Sequence, residues 1–108
     1  MAQKVNLVID QGTSFSTSFT VNDDSGDPVD FTGYTANSQM RKHYTSSNST
    51  SFTVTANSSG IVTLSLTANV TSNLTAGRYV YDVEVVSNTS VTSRIVEGIA
   101  TVTPQVTR

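Results

Sequence analysis

Four groups of residues in this sequence have the types and spacing to do chemistry. The first is His43, the only histidine, in Met40-Arg41-Lys42-His43. A serine nucleophile needs an imidazole held against its hydroxyl, and serines are common enough here for one to fall nearby by chance. No Gly-X-Ser-X-Gly elbow occurs, and strand alternation places Arg41 beside His43, so the segment reads as the solvated basic end of a strand. The second group is Asp82 and Glu84, two apart in Tyr81-Asp82-Val83-Glu84. On a strand they share one face roughly 7 Å apart, a separation that suits paired carboxylates in glycoside hydrolysis. They oppose the Tyr81/Val83 face, however, which makes them an exposed polar face whose charge Arg78 or Arg94 can offset. Asp23, Asp24, Asp27 and Asp30 crowd one loop, as oxygen ligands for Ca²⁺ do. The EF-hand order and its late glutamate are missing, and a turn kept soluble by aspartates is the simpler reading. The fourth group, Arg41-Lys42-His43, is too short for a nucleic-acid footprint and has no interleaved aromatic residues.

No glycine-rich phosphate loop occurs. The absence of cysteine excludes disulfides, thiolate catalysis and thiolate metal sites. The expectation is a protein that is not an enzyme, with no catalytic, cofactor-binding or metal-binding residues.

The elements that would carry these groups follow from apolar residues recurring at period two. Val5, Leu7 and Ile9 form a first run, and Phe15, Phe19 and Val21 share one face of a second. Asn22 to Pro28 is a turn, since Asp and Asn bond their own backbone and Gly accepts positive φ. A strand over 35–44 points Ala36, Ser38 and Met40 inward. Phe52, Val54 and Ala56 make the next, turned by Asn57-Ser58-Ser59-Gly60 into Val62, Leu64 and Leu66. Leu66, Val70 and Leu74 lie four apart, which predicts a short helical turn near 67–76. Tyr79, Tyr81, Val83 and Val85 mark the strongest strand, over 78–86. Strands over 91–97 and 99–103 follow, with Gly98 between them permitting a bulge or bend, and Pro104 ends pairing. The fold expected is all-β, an antiparallel immunoglobulin-like β-sandwich of seven or eight strands in a single domain over 1–108. A small barrel is the runner-up.

Composition agrees. Only 13% of residues are charged, and serine and threonine make up roughly a third of the chain. Threonine is β-branched and favours strands. Net charge is −2, the wrong sign for nucleic-acid binding. The first ten residues hold no apolar stretch long enough for a signal peptide, and nothing approaches the ~20 apolar residues of a membrane-crossing helix. Folding in a cytoplasm is therefore expected, with no membrane partner. Asn-X-Ser/Thr triplets at Asn48, Asn57, Asn69, Asn73 and Asn88 are what chance supplies in so polar a chain.

Several segments taken in order resemble a known group of proteins. They are Ile9-Asp10-Gln11-Gly12-Thr13-Ser14-Phe15, then the stretch from Asp24 to Ala36 with Phe31-Thr32-Gly33-Tyr34, then Gln39-Met40-Arg41. Leu74-Thr75-Ala76-Gly77-Arg78-Tyr79-Val80-Tyr81-Asp82-Val83-Glu84, Arg94-Ile95-Val96-Glu97-Gly98 and the ending Val102 to Arg108 complete the set. Their order is similar to that of short bacteriophage and prophage proteins, including those of T4-like cyanophages. More distantly, it resembles the N-terminal domain of phage baseplate upper proteins. Phe31 stands where that group usually has leucine. The resemblance implies a virion structural protein without catalytic residues, assembled in the host cytoplasm. Other virion proteins are the expected partners, with self-association or high copy in a symmetric particle, because contacts would stabilise a weakly charged domain that has no disulfide. A tail, baseplate or fibre-attachment place is the first expectation and capsid decoration the second. A carbohydrate-binding module would need exposed aromatic residues, for which Tyr34 and Tyr44 are the candidates. The thr- and val-rich end segments, Val5–Ile9 and Ile99–Thr107, are candidate docking strands if they do not simply complete the sandwich.

Overall fold

The period-two runs become strands and the period-four run becomes a helix. The computed structural model describes residues 3–23 and 25–106. The strands are β1 (Gln3–Lys4), β2 (Leu7–Asp10), β3 (Phe15–Thr20), β4 (Thr35–Arg41), β5 (Thr50–Ser51), β6 (Thr53–Ala56), β7 (Ile61–Leu66), β8 (Gly77–Val86) and β9 (Thr92–Thr103). One helix, α1 (Ala68–Ser72), lies between β7 and β8. Thr67 caps it, and the buried Thr71 ties it to the body by donating its hydroxyl to the Thr13 carbonyl at 2.7 Å. No helix among the described residues is long and apolar enough to cross a membrane.

These elements make an all-β, immunoglobulin-like sandwich. The large sheet runs β1-β9-β8-β4-β5, with β2 continuing beside β9 where β1 stops, and the small sheet runs β3-β7-β6. Alternation sends one face of each sheet into a shared core. Phe19, Val62, Leu64 and Leu66 come from the small sheet. Leu7, Ile9, Met40, Tyr81, Val83, Val85, Val96, Ala100 and Val102 come from the large one. Burying a side chain such as Leu64 or Val83 stabilises the fold by about 1.5–3 kcal/mol relative to leaving it in water. Phe52 sits between the layers, edge-on to Tyr81 at 6.0 Å and tilted against Phe15 at 6.2 Å.

Several details differ from the sequence reading, beginning with nine strands where seven or eight were expected. The strand expected over 35–44 ends at Arg41, because Lys42 to Ser49 turns away, so His43 is not on a strand. The strands expected over 91–97 and 99–103 are one strand, β9, whose first partner in sequence is also unusual: β1 and β2 pair with it in parallel. All other ladders are antiparallel.

Gly98 does not bulge. It lets another backbone come close. A Cβ there would lie 2.0 Å from the Val5 carbonyl oxygen. Val5 donates its N–H to Glu97, and a regular parallel ladder would return the Ile99 N–H to the Val5 carbonyl. Instead the Asn6 side chain accepts from Ile99 at 3.2 Å. The freed Val5 carbonyl turns inward and accepts the Tyr81 hydroxyl at 2.6 Å. Tyr81 pairs directly with Gly98, so its side chain crosses the glycine to reach the next strand.

The bulge lies at Ile95, three residues earlier. Val83 pairs with Val96 but Glu84 pairs with Arg94, which leaves Ile95 as the extra residue. A second tyrosine fixes the other end of β8: the Tyr79 hydroxyl donates to the Thr75 carbonyl four residues back, at 2.7 Å. This is the tyrosine corner of immunoglobulin-like sandwiches, and Tyr81 stands where antibody domains carry their second cysteine.

Candidate functional site

The charged candidates gather on the outer face of the large sheet. Gln39, Asp82 and Glu97 form one row across β4, β8 and β9, and Asn37, Glu84 and Arg94 form the next. The Ile95 bulge explains how Arg94 arrives there. Were Ile95 paired in a regular ladder, Arg94 would share the parity of Val96 and point into the core. Placed outside, its guanidinium reaches Asp82 at 3.4 Å and Glu97 at 3.3 Å. Of the two arginines expected to offset Asp82, it is Arg94 that does so. Arg78 lies farther along the face, opposite Thr101.

A shallow groove of about 280 Å³ runs over these residues, with Arg41 and Tyr44 on its wall. Glycoside hydrolysis needs two carboxyl groups facing each other across a bound sugar. Here Asp82 and Glu84 lie on successive rows of one sheet face, and Asp82 shares the Arg94 guanidinium with Glu97. His43 does not join them. It is exposed in the turn after β4, where its N–H bonds the Ser46 hydroxyl and its carbonyl accepts the Ser46 N–H. Arg41 donates to the Ser46 carbonyl at 2.6 Å and to Gln39 at 2.9 Å. Lys42 lies over the Tyr79 ring, 5.0 Å from its centre. The basic triplet is thus divided among three separate contacts.

The aspartate loop serves its own turn. One Asp23 carboxylate oxygen accepts the N–H groups of Ser25 and Asp27, at 2.9 and 3.0 Å. Asp30 accepts from Thr32 at 2.9 Å, and the Thr32 hydroxyl and N–H hold its carboxyl below the usual range. Asp24 lies outside the described residues. Among those described, no three acidic or histidine side chains converge on a point that could hold a metal ion. Tyr34 packs edge-on against Phe31 at 5.4 Å, while Tyr44 is 85% exposed. They flank opposite ends of β4, on the order of 20 Å apart along a strand, and form no common platform for a sugar.

The small sheet is the opposite kind of surface. None of β3, β6 or β7 contains a charged residue. Its outer face is mostly hydroxyls: Ser16, Ser65 and Thr53 make one row, Ser18, Thr63 and Thr55 the next, and Thr20 stands beside the partly exposed Ile61. Ser18 and Thr63 bond each other at 2.9 Å. On one side β6 runs straight on from β5 through Phe52, whose N–H bonds Ser38, and this closes the sandwich. On the other side β3 has no neighbour beyond β7 among the described residues.

Of the two end segments offered as docking strands over Val5–Ile9 and Ile99–Thr107, the second completes the sandwich as far as Thr103, while Thr107 lies outside the described residues. Leu7 to Asp10 pairs with Ala100 to Thr103, and β8 flanks β9 on its other side, so Ile99–Thr103 is an interior ladder with no free edge. The segment over Val5–Ile9 keeps one open side, bracketed by Lys4 and Asp10. The free edge that sequence reasoning missed is β3. The signal for it was present, a run of six residues without a charge or proline, but its lack of a neighbour is decided by where β1 and β2 go.

No protein-family model matches this chain, and no curated protein sequence does. Solved structures that it resembles include the N-terminal four immunoglobulin domains of Dscam1 isoform 7.44, with TM-score 0.46 and 15% identity over 95% of this chain. Another is a family 123 glycoside hydrolase from Clostridium perfringens, with TM-score 0.44 and 12% identity over 97% of this chain. The chain spans 23% and 24% of those two structures.

Proposed function

We propose that this chain is a structural component of a bacteriophage particle, at the tail, baseplate or fibre attachment, and that it acts through protein–protein contact. The sequence segments between Ile9 and Arg108 whose succession resembles that of phage proteins support the particle. The observation that carries the mode of action is the small sheet, which has no charge on any strand and an open edge at β3. Sandwiches that stay apart guard such edges with lysines, prolines or inward charges, and β3 has none of these. Hydroxyl-rich faces desolvate at lower cost than charged ones, which suits repeated contacts in a symmetric assembly.

Mass spectrometry of purified virions separated into heads and tails tests this reading. The chain is expected in the tail fraction. Recovery with heads would move it to capsid decoration, and absence from both would end the particle assignment.

A further inference from the structure

We propose that β3 is a self-recognition edge, pairing antiparallel with β3 of a second copy about a two-fold axis through Thr17. The two three-stranded small sheets would then join into one continuous sheet. The direction of the backbone groups comes first. Every β3–β7 pair keeps one register, and its continuation places Val21 opposite Gly60, whose carbonyl accepts the Val21 N–H at 2.8 Å. Antiparallel ladders alternate bonded and non-bonded pairs. Thr17 and Phe19 therefore direct their N–H and C=O groups to β7, and Ser16, Ser18 and Thr20 aim theirs out of the sheet.

The sequence then selects the occupant. Phe15-Ser16-Thr17-Ser18-Phe19 reads the same in both directions. A copy laid antiparallel about Thr17 sets Ser16 against Ser18 of the second copy and Ser18 against its Ser16. Both are bonded pairs, formed by the groups that point outward. Thr17 meets its own equivalent at a non-bonded position, which is a legitimate place for a two-fold axis. On the inner side Phe15 meets Phe19 of the copy. The apolar row Leu66–Phe15 in one molecule would then continue into Phe19–Val62 of the other. Phe15, half-buried in the isolated chain, gains cover. On the outer side hydroxyl meets hydroxyl. No charge on the strand opposes the approach, whereas the open side of β2 lies between Lys4 and Asp10.

This inference does not rest on the particle reading. The edge pairs in solution or it does not, wherever the protein resides.

Sedimentation equilibrium on the full chain over a hundredfold dilution series is the first measurement. The mass is expected to rise toward twice that of the chain and stop there. Ser16→Lys with Ser18→Lys sets like charges opposite across the axis and is expected to halve the mass at the highest concentration. Ser16→Lys with Ser18→Glu places each lysine against a glutamate of the copy and is expected to restore the dimer. Both substituted positions are exposed, and an unchanged circular dichroism spectrum and melting profile confirm the fold of each variant. Thr17→Cys supplies a second readout. The chain has no other cysteine, and the two-fold sets the Cα atoms about 4.5 Å apart, within disulfide reach. Mild oxidation is expected to cross-link most Thr17→Cys chains and few Thr55→Cys chains. A wild-type mass that stays at one chain throughout would overturn the proposal, as would a double-lysine variant that associates like wild type, or equal cross-linking at both cysteines. Growth beyond two copies would also overturn it, since that is the mark of β3 pairing head-to-tail with another surface.

Discussion

Where its two sheets meet solvent, this sandwich uses different chemistry and different covers. The large sheet presents Arg41, Arg78, Asp82, Glu84, Arg94 and Glu97 outward, and its last strand is enclosed between β8 and the parallel pair β1 and β2. The small sheet presents serine, threonine and Ile61, and its β3 edge has no neighbour among the described residues. The cause is a single routing decision at the start of the chain. Had the first strand lain beside β3, the small sheet would be covered and β9 would be the bare edge. Gly98, Asn6 and Tyr81 commit it to β9. The glycine makes room for the Val5 backbone, Asn6 replaces the lost acceptor, and Tyr81 satisfies the displaced carbonyl.

Breaking that commitment is expected to have the largest effect. Gly98→Ala drives a methyl group into the Val5 carbonyl, with backbone on both sides of the clash. It should cost roughly 3 kcal/mol or more, read as a fall in the urea midpoint. Tyr81→Phe keeps the ring against Phe52 but strands the Val5 carbonyl, at about 1–2 kcal/mol by the same measurement.

The same side chain makes the contrast sensitive to pH. Burial pushes the Tyr81 phenol from 10.0 up to about 12, so the folded chain holds this proton more tightly than the unfolded one. Its contribution is complete below pH 10 and disappears as pH rises through about 12. Denaturant midpoints measured across that window should fall more steeply for wild type than for Tyr81→Phe.

Smaller effects sharpen the comparison from the two outer faces. Arg94→Ala removes both ion pairs of the exposed triad and should cost under about 1 kcal/mol, with the difference shrinking in high salt. Thr63→Val removes the hydroxyl bond to Ser18 on the small sheet. It should shift stability by no more than about 0.5 kcal/mol at any salt concentration. A salt-dependent Thr63→Val or a salt-independent Arg94→Ala would mean that the two faces do not differ as described.

Much of this architecture is legible in the sequence, because alternation reports which side chains are buried. Val62, Leu64, Val83, Val85 and Met40 all lie in the core as their spacing requires. The turn at Asn57–Gly60 and the helix after Leu66 are equally local. Alternation cannot say which strand is whose neighbour. The parallel ladder of Leu7–Asp10 with Ala100–Thr103 joins residues 93 apart and leaves no local trace. Gly98 was visible as a special position, but only the approach of Val5 shows why it is special. The Ile95 bulge hides because adding one residue changes parity without altering residue type, and the place of Arg94 depends on it. For the candidate site, residue types such as Asp82 and His43 were plain from the start. Their solvated placement was legible too, but that Arg94 and not Arg78 pairs with Asp82 was not, since it depends on the Ile95 bulge.

The routing of β1 and β2 has a mechanical consequence. First and last strands lie side by side and point the same way, so the described chain enters at one pole of the sandwich and leaves at the other. Tension applied across those two points slides β9 along its neighbours and loads every rung of the ladder at once. A hairpin pulled from its open end would instead lose its rungs one by one. Under pulling, the rate at which the ladder shears governs survival, more than the equilibrium free energy does, and a part strung in line between two others would hold its length.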